Sequence, residues 1–204
     1  MTNIEIVKQR ISESIAVKQR LLEDEALISI VSALADRIVD CIQEGGKLVI
    51  CGNGGSASDA LHFAGEIVGR FVKERKAWPA IVLNADVATM TAVANDYGYE
   101  EVFARQVEGH VKKGDVFIGI STSGNSENVY RAQLKAKKMG VLTACFAGKD
   151  GGKIADSADF SIVIPCNVTA RIQECHITII HILCELVESS LCDVDDAHLY
   201  CDIR

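Results

Sequence analysis

The sequence predicts an α/β chain: a three-layer α/β/α sandwich around a parallel sheet, flanked by N- and C-terminal helices. Three observations carry this prediction. Short runs that are apolar at nearly every position alternate with amphipathic stretches, the pattern of parallel strands covered on both faces. Residues 4–43 and 169–190 keep apolar residues at helical spacing. Two of the apolar runs also end in loops of Gly, Ser, Asn and Thr that lead straight into a helix start.

In order, residues 4 to 43 place Ile4, Val7, Ile11 and Ile15, then Ala26, Ile30, Ala33, Leu34, Ile38 and Cys41, at helical intervals with charges between them. Gly45-Gly46 stops the pattern, which reads as one long helix or two consecutive ones. A sheet domain of this size does not need such a lead-in for its own core. Strands are then expected at 47–51, 79–84, 115–120, 141–146 and 160–164. Helices are expected at 57–72, 87–95, 99–112, 126–139, 151–156 and 169–190. The acidic end, Cys192-Asp193-Val194-Asp195-Asp196, reads as a fraying tail.

With 204 residues and 49% hydrophobic composition, the chain can bury a full core without metal or disulfide staples. A net charge of -7 argues against a nucleic-acid surface, which would cluster Lys and Arg. Cys41, Cys51, Cys145, Cys166, Cys175, Cys184, Cys192 and Cys201 form no CxxC pair and sit mostly in apolar runs, as reduced buried thiols do. The N-terminus has no signal-peptide core, and the greasiest late run is broken by His181, Glu185 and Glu188. A cytoplasmic protein with no nucleic-acid and no membrane partner is expected.

The first loop, Gly52-Asn53-Gly54-Gly55-Ser56-Ala57-Ser58-Asp59, and the second, Ser121-Thr122-Ser123-Gly124-Asn125-Ser126, each put free N–H groups, hydroxyls and a helix dipole near one point. That combination suits a phosphate. Neither a P-loop GK[ST] nor a GxGxxG fingerprint is present, so nucleotide readings lose ground. Ser121, Thr122, Ser123 and Ser126 give a hydroxyl-rich, lysine-free loop, which suits a sugar phosphate. The plain alternative for the first loop is a glycine turn that lets a helix pack close to its strand.

His62 and Glu66 stand four apart on the helix that opens from the first loop, so they share a face. Such a pair can ligate a metal, act as a base beside a polarising group, or form a simple surface link. Gln173 and His181 lie two turns apart on the last helix, a spacing that permits a shared site without demanding one. His176 reads as structural, and His110 and His198 have no partner visible in the sequence.

Taken together, Cys51-Gly52-Asn53-Gly54-Gly55-Ser56, His62-Phe63-Ala64-Gly65-Glu66, Asn95-Asp96-Tyr97-Gly98, Gly119 through Ser126 and Ala170-Arg171-Ile172-Gln173-Glu174-Cys175-His176 through His181 closely resemble the phosphoheptose isomerases of the sugar-isomerase (SIS) group. The match runs in order along nearly the whole chain. The resemblance implies interconversion of sedoheptulose 7-phosphate and D-glycero-D-manno-heptose 7-phosphate, feeding bacterial heptose synthesis for lipopolysaccharide or related glycans. It implies a homotetramer with active sites at subunit interfaces and one bound zinc per subunit. Residues 1–44 then become oligomerisation helices, 45–192 the SIS sugar-phosphate domain and 193–204 a tail.

By position, the resemblance assigns Ser56, Ser121, Thr122, Ser123 and Ser126 to the phosphate, and Asn53, Gly54, Gly55, Asn95, Asp96 and Gln173 to further substrate and loop contacts. Glu66 and His181 become the acid–base pair, and His62, Glu66, Gln173 and His181 the zinc set. Some members carry a second acidic residue where this chain has Gly65, and some have Asp where it has Ala170. Two other readings compete. A related SIS protein binds a replication-initiator partner without catalysis, but such relatives lack the Glu and the distal His that this chain keeps. Sugar-phosphate-sensing transcription regulators would need a DNA-binding appendage, for which the match leaves no room.

Overall fold

The lead-in divides at Asp24, whose carboxylate accepts from the Leu27 N–H at 3.0 Å and starts a second helix. In this computed structural model, which describes residues 1–192, helix α1 spans Asn3–Leu22 and opens on a capping box between Thr2 and Glu5. Helix α2 spans Glu25–Gln43 and buries Leu27, Val31, Leu34, Ala35, Ile38 and Cys41, a stripe at i, i+3 and i+4 intervals. These residues join the main core, as does Val17 of α1, so the lead-in contributes to that core rather than standing wholly outside it. Of α1 only Val17 is buried, while Ile4, Val7, Ile11 and Ile15 stay exposed.

The alternation then follows the predicted order. Strand β1 is Leu48–Gly52, α3 Gly55–Val68, β2 Ala80–Val82, α4 Val87–Tyr97, α5 Val102–His110 and β3 Val116–Ser121. Next come α6 Glu127–Lys138, β4 Leu142–Gly148, α7 Gly152–Ser157, β5 Phe160–Ile164 and α8 Thr169–Leu191. Three elements differ most from expectation, the first being the strand expected at 79–84, which shortens to Ala80–Val82. The helix expected from 99 begins as a 3-10 turn over Tyr99–Glu101, and α3 ends at Val68 rather than 72, because the N–H groups of residues 71 to 73 are taken by a distant carboxylate described below. The acidic tail, His198 and Cys201 lie outside the described residues.

All strand pairs are parallel, in the order β2-β1-β3-β4-β5. Side chains alternate between the faces: Leu48, Ile50, Ile118 and Ile120 pack towards α2, α3 and α8, and Val49, Cys51 and Phe117 towards the layer that holds Phe103 of α5 and Val129 of α6. Both faces are therefore covered, which is why β1 and β3 read as unbroken apolar runs. Phe63, Phe103, Phe117 and Phe146 are fully buried, and truncating any one to Ala would cost about 3–5 kcal/mol. Cys41, Cys51, Cys145, Cys175 and Cys184 are buried thiols within these layers. Among the described residues no helix is long and apolar enough to cross a membrane.

The chain reverses its winding between β1 and its neighbour β3. Open parallel sheets bind ligands in the crevice that such a reversal opens beyond the strand ends. Both Gly/Ser loops leave from these two strands, whose last residues run side by side with Gly52 paired to Ile120.

Candidate active site

The second loop folds around its own hydroxyls. Ser121 Oγ lies 2.8 Å from Ser126 Oγ and 3.4 Å from Ser123 Oγ, and Ser123 Oγ accepts from the Asn125 N–H at 3.2 Å. Ser126 is the N-cap of α6, yet its side chain makes no capping bond. The first-turn N–H groups and the hydroxyls thus face one region together, as an anion site requires. Gly124 makes the loop possible: its φ is +66°, and a Cβ there would stand 2.0 Å from the Gly151 carbonyl oxygen.

The first loop is tied to the second by amides rather than by its serines. Asn53 and Asn128, at the start of α6, exchange side-chain bonds of 2.9 and 3.0 Å, and the Tyr99 hydroxyl donates to Asn53 Oδ1 at 3.0 Å. Asn128 is buried and also accepts from the Val129 N–H. Neither Asn128 nor Tyr99 was singled out in the sequence, where an asparagine at a helix start looks like an ordinary cap. Ser56 is buried in the first turn of α3, which Gly54 opens without any side-chain cap.

Helix α3 carries His62 and Glu66, with His62 Nε2 3.2 Å from Glu66 Oε1. Helix α8 crosses it and brings His181 Nε2 to 2.9 Å from His62 Nε2. One atom from each of the three side chains lies within 4.8 Å of the other two. Two imidazole nitrogens so close require either one shared proton or a cation before both lone pairs, and the set of two imidazoles and one carboxylate is one that divalent metals accept. Phe71 lies against His181, with ring centroids 5.9 Å apart.

Gln173 lines the same cleft as His62, a space of about 420 Å³ that also includes Ser58, Asp59, Ala170, Glu174 and Ile177. It reaches back to the glycine loop: a Cβ on Gly55 would stand 2.2 Å from Gln173 Nε2, so a side chain there would push the amide out of its place. Asp59 is the residue missed. It lies one turn before His62, and its Oδ2 is buried without a hydrogen-bond partner among the described residues. Burial pushes its carboxyl up to about 6, against the opposing pull of His62. The i, i+3 spacing from His62 was the available signal.

Asn95 and Asp96 stand exposed in the last turn of α4, bonded to each other at 2.8 Å rather than to either loop. His110 is exposed, and His176 is buried against β4 with Nε2 3.0 Å from the Ala147 carbonyl oxygen, the structural place expected of it. At Gly65 an added side chain would meet open space, and Ala170 lies on the cleft wall, so both departures fall at the edge of the site.

Two loops rich in Gly and hydroxyl groups at the reversal point of a parallel sheet, with an ionisable cluster beside them, define a phosphosugar-handling α/β domain. Consistent with this, a family model described as SIS domain matches residues 11–148. The chain is 49% identical over 185 residues to a phosphoheptose isomerase of Roseiflexus sp. (strain RS-1), covering 91% of this chain and 93% of that protein. It is 50% identical over 183 residues to one from Helicobacter pylori (strain P12), covering 90% and 94%. The solved phosphoheptose isomerase of Neisseria gonorrhoeae superposes with a TM-score of 0.87 at 40% identity, covering 92% of this chain and 100% of that one. The chain belongs to the phosphoheptose isomerases, a family of isomerase enzymes.

Proposed function

We propose that this chain interconverts sedoheptulose 7-phosphate and D-glycero-D-manno-heptose 7-phosphate, in the cytoplasm, as an entry to heptose synthesis for lipopolysaccharide or related glycans. The observation that carries the proposal is the convergence of His62, Glu66 and His181 next to the glycine loop, in a chain half identical to phosphoheptose isomerases. Aldose–ketose isomerisation moves one proton between C1 and C2 and another between their oxygens, through an enediol. Glu66 and His181 share these transfers as carboxylate and imidazole. Ser121, Thr122, Ser123 and Ser126, with Ser56, hold the phosphate, and Asn53, Gly54, Gly55, Gln173, Asn95 and Asp96 contact the sugar or shape its loops.

The donor set fits zinc. Bonds of about 2.0–2.1 Å in a tetrahedral site hold donor atoms roughly 3.3 Å apart, close to the 2.9 and 3.2 Å separations at His62. His62, Glu66 and His181, with Gln173 as the fourth ligand, would hold one ion per subunit. Bound there, zinc supplies a Lewis acid for the charge that develops on the enediol oxygens. The exposed apolar side of α1 and an apolar groove of about 480 Å³ between α1, α2 and α8 support a homotetramer, with residues 1–44 as its assembly helices and 45–192 as the SIS domain.

A non-catalytic SIS protein docking on a replication initiator has no use for the His62–Glu66–His181 convergence, and the enzyme reading is favoured for that reason. Incubation with sedoheptulose 7-phosphate, followed by NMR of the sugar phosphates, tests it. Appearance of the aldose heptose 7-phosphate supports the proposal. Binding without conversion, with or without zinc, would return the partner-binding reading.

A further inference from the structure

Glu188 is nearly inaccessible, with its side chain 1% exposed, and it lies seven residues beyond His181 on α8. Its carboxylate accepts from the N–H groups of Phe71 at 3.1 Å, Val72 at 2.8 Å and Lys73 at 2.9 Å, and from Arg75 Nε at 3.1 Å. Burial alone would raise this carboxyl; the three N–H donors and the guanidinium outweigh it and hold it below the usual glutamate range. Arg75 is itself 5% exposed and stacks on Trp78, with the guanidinium carbon 3.5 Å from the ring centre.

The rest of the guanidinium points at the other helix of the site. Arg75 Nη2 donates to the Glu66 carbonyl oxygen at 2.8 Å, and Nη1 to that of Ile67 at 3.0 Å. One side chain therefore joins the backbone of α3, at the residue bearing the site carboxylate, to a carboxylate two turns along α8 from His181. The same loop sets Phe71 against the His181 ring.

We propose that Arg75, anchored on Glu188, is a positioning residue that sets Glu66 and His62 on α3 against His181 on α8, with Phe71 holding the imidazole from the loop side. The proposal rests on the reading of His62, Glu66 and His181 as the metal and proton-transfer site. Lysine at 75 keeps the charge opposite Glu188 but has no fork to reach the two carbonyls. Groups that support metal ligands typically cost 10–100-fold in affinity or activity when changed.

The test is Arg75→Lys beside Phe71→Leu, which leaves the ion pair whole, with Glu66→Gln as control, all assayed well below their melting temperatures. Arg75→Lys is expected to lower zinc affinity and kcat by about 10-fold or more, with KM for the sugar phosphate within about 3-fold of the parent. The absorption spectrum of the cobalt-loaded protein should change, and Phe71→Leu should move the same readouts in the same direction. A purely structural role would lower only the melting temperature. If both variants keep parental zinc affinity, cobalt spectrum and kcat while Glu66→Gln is impaired, the clamp is overturned and the site reading stands. If Glu66→Gln itself binds zinc and turns over like the parent, the site reading fails and the clamp falls with it. Should Arg75→Lys not fold, Phe71→Leu decides alone.

Discussion

Replacing His176 by glutamine probes how α8 is held on the sheet. Among the described residues this is the one buried histidine. Its Nε2 faces the Ala147 carbonyl oxygen at 3.0 Å and must donate to it, so Nδ1 is the bare nitrogen, and it is buried with no partner. Protonating Nδ1 would place a charge among Phe146 and its neighbours with nothing to accept the hydrogen. Burial therefore lowers the imidazole from 6.5 to about 4, despite the bond to Ala147, which acts the other way. Between those two values the unfolded chain takes up a proton that the folded chain refuses. The stability this group contributes is thus full above pH 6.5, falls as pH drops through the window, and is largely gone by about pH 4. At 1.36 kcal/mol per pH unit the group contributes about 3 kcal/mol in all. Glutamine can still donate to Ala147 but does not titrate. Urea unfolding of both proteins at pH 7, 6, 5 and 4.5 should show the stability difference shrinking by about 2–3 kcal/mol in favour of the variant as pH falls. Parallel curves would refute the reasoning.

Six further outcomes follow from the site, its frame and the proposed assembly. Ser123→Ala with Ser126→Ala should raise KM for the sugar phosphate at least 10-fold, each lost bond to a charged group being worth about 1.5–3 kcal/mol; unchanged affinity places the phosphate elsewhere. Gly124→Ala meets both a positive φ and the Gly151 carbonyl oxygen at 2.0 Å, so calorimetry should show a large fall in melting temperature, and a neutral result rejects the loop geometry. Gly65→Ala should instead add up to about 1 kcal/mol, because its Cβ meets open space inside α3; destabilisation in urea unfolding would contradict this. Strict chelation should lower the rate without unfolding the domain, His62→Ala should lower metal content and rate together, and light scattering should give four times the 22.0 kDa chain rather than a monomer.

The layers were legible because the central strands β1 and β3 are buried on both faces and read as apolar runs, and β5 falls where expected at 160–164. The end of α3 was not, since Glu188 takes the N–H groups of residues 71–73 from more than a hundred positions away. The same contrast divides the site. His62 and Glu66 could be paired by spacing because one helix carries both. His181 comes to His62 only through the packing of α8 on α3, a contact that helical periodicity does not encode and that the family resemblance supplied. Asn53 was expected among the sugar contacts, yet its amide is largely engaged by Asn128 and Tyr99, residues brought near by the sheet order.

The central claim is that Glu66 and His181 move the protons of an aldose–ketose isomerisation. Turnover of sedoheptulose 7-phosphate in D2O, followed by NMR for the parent, Glu66→Gln and His181→Asn, tests it most directly. The account predicts an aldose heptose 7-phosphate that gains deuterium at C2, and rates lowered by about 100-fold or more in each folded variant. A parent that never converts the sugar, or either variant turning over near the parental rate, would contradict it.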